Sequence, residues 1–68
     1  MKELSTIEEV ITALGGIKAT ADLCGRGYTT AANWKYRGFF PSNTYFLMLT
    51  ELSRNNFSAP ITLWIKQL

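Results

Sequence analysis

The stretch that decides the fold is YTTAANWKYRGFF, residues 28 to 40. It begins with polar and small residues, continues into a tryptophan and a basic cluster, and ends at a glycine. Thr29 and Asn33 are weak helix formers, so we expect tertiary contacts to hold this helix in place. Ala31 and Trp34 lie three residues apart and share one helical face, which predicts that they point inward. The opposite flank then stays free and carries mostly short side chains.

A second short helix precedes this stretch. Ile17, Ala21 and Cys24 fall on one face of a helix predicted for residues 17–24. Gly25 ends it, because glycine takes positive φ without strain, and CGRGY then forms a tight turn. Two short helices joined by such a turn form a helix-turn-helix, here residues 17–37. Ala21 supplies the small side chain needed where the two helices cross.

The N-terminal segment predicts a first helix. It begins after Ser5 or Thr6, and the spacing from Ser5 to Glu8 matches a capping box. A Gly-Gly pair ends the helix. Its apolar stripe consists of Ile7, Val10, Ile11 and Leu14.

The C-terminal half predicts two more helices. The fourth starts near Ser42 and runs to about Arg54, and it is apolar nearly all round, which indicates burial on more than one side. The last helix is capped by Ser58, with Pro60 in its first turn. A short strand over residues 61–65 is the alternative for this segment, and no other strand pattern or internal repeat is evident. The apolar stripe of the last helix consists of Ile61, Trp64, Ile65 and Leu68. The predicted fold class is therefore all-α, with five helices in one domain, residues 1–68, in which residues 53–68 serve packing or dimerisation.

Composition narrows the function classes. The 68 residues carry a net charge of +2, no histidine and one cysteine. An imidazole base and a tetrahedral zinc site are therefore excluded, and we expect no enzyme, metal or cofactor. No Gly-rich nucleotide loop follows a strand, no small-molecule site is evident, and Cys24 is expected to be a small buried hydrophobe. We find no signal peptide and no stretch long enough to cross a bilayer, so we expect a soluble, cytoplasmic protein with no membrane partner.

Charge is distributed unevenly along the chain. Between residues 18 and 37 there are four basic residues and a single acid, whereas the first helix region carries three glutamates. This split is consistent with a basic face for a polyanion and equally with an ordinary solvated surface.

These features together resemble the helix-turn-helix of the lambda-repressor/Cro superfamily, and most closely its small phage Cro-like and YdaS-like regulators. The resemblance covers roughly residues 6 to 52. It departs from the family pattern at Gly27, where a Ser or Thr cap is usual, at Tyr28, and at Ala31, where the family usually has an aliphatic residue. The elements that carry the resemblance are Gly15-Gly16, Ala21, Cys24-Gly25, Ala31, Asn33-Trp34-Lys35, Arg37-Gly38 and Pro41.

The resemblance implies which residues face DNA. An Asn33 amide can bind adenine bidentately, and the Thr29 and Ala32 methyl groups can contact a thymine methyl. The alternatives are a solvated amide at Asn33 and a packing role for Tyr28. The base-contacting set is Gly27, Tyr28, Thr29, Ala32 and Asn33. The phosphate-contacting set is Ile17, through backbone amides at the helix start, with Lys18, Arg26, Lys35 and Arg37.

The predicted function is that of a sequence-specific double-stranded DNA-binding regulator, a phage-type repressor that binds a palindromic operator as a homodimer. The dimer candidates are Trp64, Ile65 and Leu68. One alternative is an activator or antitoxin-like regulator with a protein partner, and another is a protein-interaction module that docks through the fourth or fifth helix. A third alternative binds single-stranded nucleic acid or RNA through Tyr28, Trp34, Tyr36 and Phe39, although these aromatics do not share a sheet face.

Overall fold

The computed structural model of the protein describes residues 2–65. This part of the chain is mostly helical, as predicted, but the count of five α-helices is not supported. The α-helices within it are α1 (Ile7–Ala13), α2 (Ile17–Cys24), α3 (Tyr28–Arg37) and α4 (Tyr45–Arg54). Two single-turn 3-10 helices, Ser42–Thr44 and Ile61–Trp64, and two short strands, β1 (Lys2–Glu3) and β2 (Phe57–Ser58), complete the fold.

The C-terminal segment differs most from the prediction. Ser58, expected to cap a helix, lies in β2, which pairs in parallel with β1 so that Glu3 is opposite Ser58. The Leu4 amide donates to the Ser58 carbonyl at 2.7 Å and extends the pairing. Pro60 has an extended backbone, with φ −71° and ψ 145°, and between it and residue 65 the chain forms one 3-10 turn, Ile61–Trp64. The predicted last helix is therefore wrong over residues 59–65, and so is the alternative of a strand over residues 61–65.

The start of α1 is fixed by a capping box one residue later than predicted. Thr6 is the N-cap, and the Glu9 amide donates to the Thr6 hydroxyl at 3.1 Å. In return, the Thr6 amide donates to Glu9 Oε1 at 3.1 Å. The predicted pair of Ser5 and Glu8 is thus wrong, which leaves Glu8 free of any capping role.

The helix-turn-helix has the predicted boundaries. α2 ends at Gly25 in the left-handed conformation, with φ 67°, and α3 ends at Gly38 with φ 81°. α2 packs against α3, and Ala21, Ala31 and Trp34 are all buried. The inward anchors predicted for α3 are therefore confirmed.

Aromatic side chains join the helix-turn-helix to the C-terminal segment. The Phe40 ring lies 5.7 Å from the Trp34 ring and 5.1 Å from the Trp64 ring, measured between centroids. Tyr45 lies 5.0 Å from Trp64 on the other side. Trp64, predicted at a dimer interface, is thus a core residue of the single chain, because its indole fills the space between α4 and the segment after α3.

α4 is covered by α2 and by the C-terminal segment, and its remaining side is open to solvent. It follows the 3-10 turn Ser42–Thr44, so the predicted start near Ser42 falls in that turn, and it ends at Arg54 as predicted. Met48 and Leu52 are fully buried, whereas Phe46 is 79% exposed and Leu47 is also exposed. The prediction of burial on more than one side is confirmed within the single chain, because α4 packs against both α2 and β2 and Tyr45 contacts Trp64. The side that carries Phe46 and Leu47 stays open. No helix within residues 2–65 has the length and hydropathy needed to cross a bilayer.

Candidate nucleic-acid interface

One face of α3 is open to solvent. Thr29 and Asn33 are exposed, and Ala32 between them is half-buried. Ala31 and Trp34 occupy the opposite face and are completely covered. This arrangement follows from the helical period, because residues at i, i+3 and i+4 share a face. The predicted base-contacting residues of α3 therefore lie together on its outer surface.

The polar groups on this face are not used inside the chain. Within residues 2–65, the side chains of Thr29 and Asn33 have no hydrogen-bond partner. The Asn33 amide offers a donor and an acceptor side by side, which matches the N6 and N7 edge of adenine in a major groove. The Thr29 hydroxyl can donate or accept, and its methyl group can contact thymine. The face is therefore able to distinguish bases.

Tyr36 belongs to the same face, but it was not among the residues predicted to contact bases or phosphates. It is 88% exposed and lies seven residues after Thr29 and three after Asn33. The i, i+4, i+7 pattern that places Thr29 and Asn33 outward also places Tyr36 there. Helical periodicity alone was therefore enough to find it.

The turn before α3 brings the remaining predicted residues to the same end. Gly27 is the N-cap, with an ordinary extended backbone at φ −73°. A Cβ at Gly27 would meet nothing within 4 Å, so neither conformation nor packing inside the chain requires glycine there. Tyr28 is exposed and opens the helix. The structure leaves both residues accessible to an approaching molecule.

Two of the predicted phosphate-contacting lysines are paired with acids. Lys18 Nζ lies 3.4 Å from Asp22 Oδ2 within α2, and both side chains are strongly exposed. Lys35 Nζ lies 3.6 Å from Glu8 Oε1, which connects the last turn of α3 to the first turn of α1. Exposed pairs of this kind contribute roughly 0–1 kcal/mol to stability. The stability of the fold therefore depends little on either pair.

The two predicted arginines have other partners. Arg26 Nη2 donates to Asn43 Oδ1 at 3.1 Å, and this bond ties the helix-turn-helix turn to the segment before α4. The Arg37 guanidinium lies 5.1 Å from the centre of the Phe39 ring, within the range of a cation–π contact. These contacts orient the guanidinium groups while leaving both residues exposed.

The start of α2 lies near the same surface. An open depression lies at this surface, and it is lined by Glu8, Ile17, Ala32, Lys35 and Tyr36. The N-cap of α2 is Gly16, which has no side chain to satisfy the first amides. Free amides and the positive end of the helix dipole both favour an anion at this position. The predicted Ile17 amide site and Lys35 therefore lie around one depression.

The remaining candidate groups are less informative. Cys24 is half-buried, and burial raises the pKa of its thiol, which fits a small apolar side chain. Within residues 2–65 no group of three or more acidic, cysteine or histidine side chains is arranged to hold a metal ion. Of the predicted dimer residues, Ile65 is exposed and Trp64 is buried. Leu68 lies outside the described residues.

Comparison with models of protein families, with curated proteins and with solved structures found no match. The resemblance over residues 6 to 52 therefore depends on the sequence pattern alone.

Proposed function

We propose that this chain is a sequence-specific double-stranded DNA-binding regulator of the lambda-repressor/Cro type, acting as a phage-type repressor. The observation that carries the proposal is the outward face of α3, where Thr29 and Asn33 are exposed and unpaired within residues 2–65. The helix enters the major groove, while basic side chains and the start of α2 contact phosphates and fix its register. Occupation of a promoter then excludes polymerase.

The partner chain in this proposal is a second copy of the same protein. The Cα atoms of the chain span 29 × 28 × 18 Å. The proposal requires the two copies to hold their α3 helices about one helical turn apart, near the ~34 Å between adjacent major grooves on one DNA face. The surface offered for this contact contains Phe46, Leu47, Ile61 and Ile65, all large apolar side chains that are exposed in the single chain.

Selection of bound sites from a random duplex library tests the proposal directly. We expect a palindromic motif whose two halves repeat once per helical turn. Failure of the purified chain to bind any duplex at low ionic strength would overturn the proposal.

The variant Asn33→Ala then tests how sequence is read. We expect a loss of about 1–3 kcal/mol per half-site on the selected operator, because each chain loses one bidentate base contact. Affinity for random-sequence duplex should stay unchanged, since it depends on phosphate contacts. Competition binding on both duplexes measures the difference, and an equal loss on both would show that Asn33 does not read a base.

A protein-interaction module is the second candidate, and the exposure of Phe46 and Leu47 favours it. In that case, the double change of Lys35→Ala with Arg37→Ala should leave partner binding unchanged. In a DNA-binding protein the same double change should weaken duplex binding and lower its log–log salt slope by about two for each bound chain, because each chain loses two phosphate contacts.

A further inference from the structure

The pair formed by Glu8 and Lys35 connects two helices across the edge of the α3 surface. The two side chains differ in exposure, at 75% for Glu8 and 37% for Lys35. The lysine stem is therefore partly covered, and its ammonium is held in one region.

Glu8 takes no part in the capping box, and its place in the first turn of α1, where the helix dipole favours an acid, does not require the contact with Lys35. The capping box uses Glu9, which accepts from both Ser5 and Thr6. Within residues 2–65, the only polar partner of the Glu8 side chain is Lys35. The carboxylate also borders the depression that contains Ile17 and Tyr36, so it lies beside the surface proposed to meet DNA.

We propose that Glu8 competes with the DNA backbone for Lys35 and thereby lowers the affinity of the chain for every duplex alike. This inference rests on the proposed function. A phosphate that approaches Lys35 must share the ammonium with Glu8 or displace it. The phosphate and the carboxylate are then two anions a few ångströms apart, and their repulsion weakens binding at low salt and is screened at high salt. The effect is blind to sequence, because phosphates carry no base information.

The other lysine pair does not act in this way to the same extent. Lys18 and Asp22 are four residues apart on one helix, and both side chains are strongly exposed, so the lysine can swing to a phosphate and leave the acid behind. Lys35 lacks that freedom, because most of its side chain is covered. Glu8 is thus the acid placed to limit a phosphate contact.

Charge-removing variants of the full chain test this. Glu8→Gln should bind a random-sequence duplex about five- to tenfold more tightly than wild type at roughly 50 mM salt, with a log–log salt slope steeper by about one. The gain should shrink towards roughly 200 mM salt. The selected operator should gain by the same factor, so the ratio of specific to random affinity stays constant. Glu51→Gln is the matched control, because it removes the same charge from a pair with Arg54 in α4, outside the depression. It should change affinity less than about twofold.

The same change made in a Lys35→Gln variant shows whether Glu8 acts by competing for Lys35 or by repelling DNA through its charge alone. In Lys35→Gln, the further change Glu8→Gln should produce less than about a twofold gain, since there is no ammonium left to release. Thermal melts check that each variant is folded. If Glu8→Gln unfolds at a lower temperature than wild type, Glu8→Ala is used in its place. The inference is overturned if Glu8→Gln behaves like Glu51→Gln, or if its gain persists without Lys35, while wild type still binds DNA. A wild-type chain that ignores duplex DNA overturns the proposed function as well.

Discussion

Tyr36 is the exposed residue on α3 whose role most needs a test. It is 88% exposed, so the folded chain gains little from its ring and a substitution should change stability by less than about 0.5 kcal/mol. It lies at the C-terminal end of the outer face of α3, next in sequence to Lys35 and Arg37. Under the proposed function, its hydroxyl is free to donate to a phosphate. We therefore interpret Tyr36 as a contact to the DNA backbone.

We expect Tyr36→Phe to weaken binding by about 1 kcal/mol, roughly fivefold, on any duplex, because one hydrogen bond to phosphate is lost. Tyr36→Ala should weaken binding further, since the ring contact is lost too. Fluorescence anisotropy on random and selected duplexes measures both, with thermal melts as the stability control. Wild-type affinity in Tyr36→Ala would show that the ring stays clear of DNA.

Single residues were predictable from sequence where the helical period decides their position. Helical spacing alone predicts that Ala31 and Trp34 point inward. The same spacing predicts that Thr29 and Asn33 point outward. Trp64 was not predictable in this way, because its burial depends on Phe40 and Tyr45, which reach it only in the folded chain. The pairing of Glu8 with Lys35 has the same origin, since it joins helices 27 residues apart in sequence.

At the scale of elements, the capping box at the start of α1 makes the stability of the fold depend on pH. The Ser5 backbone amide, followed by the Ser5 hydroxyl and the Thr6 donors, lowers the pKa of Glu9 below its ordinary value of 4.5. A carboxylate whose folded pKa is depressed stabilises the fold above its unfolded pKa, and this contribution is lost as pH falls through the folded pKa.

Wild type should therefore be more stable than Glu9→Gln near pH 7, because the amide carries no charge to favour the α1 N-terminus or the four donors. The difference should begin to shrink below about pH 4.5 and vanish at lower pH, when Glu9 is protonated in both states. Urea melts of both proteins across this range measure it, and Glu3→Gln is the control because Glu3 lies outside the capping box. A constant difference at every pH would contradict the capping role of the charge.

Elements with local start and stop signals were predictable, and those made by distant pairing were not. Gly25 and Gly38 end α2 and α3 at the expected residues, because both adopt left-handed conformations that favour glycine. By contrast, β1 and β2 are two residues each and pair across more than fifty residues, so no alternation is long enough to detect. That pairing also holds Ser58 in an extended backbone, which prevents the helix predicted to begin there.

For the molecule as a whole, the basic residues form a surface that is already partly occupied. Each of the four basic side chains predicted to contact phosphates already contacts a group of the same chain: these are Lys18, Arg26, Lys35 and Arg37. A single copy with so few phosphate contacts is expected to bind weakly, because affinity for DNA rises with the number of phosphates neutralised. Two copies joined through their exposed apolar surface double that number without any new basic residue. Under the proposed function, effective DNA binding therefore requires an assembly of two copies.

The spacing between half-sites tests that assembly. Inserting about 5 base pairs at the centre of the selected operator turns one half-site to the opposite face of the duplex, and about 10 base pairs restores the face while moving the half-sites roughly 34 Å further apart. A compact dimer of chains whose Cα atoms span at most 29 Å cannot bridge the added distance, so both insertions should reduce affinity to that of an isolated half-site.

An operator with an altered central sequence of unchanged length is the control. Recovery at 10 base pairs would indicate a flexible connection between copies, and equal affinity for one and two half-sites would show that the chain binds as a monomer. Sedimentation of the complexes gives the number of chains bound in each case.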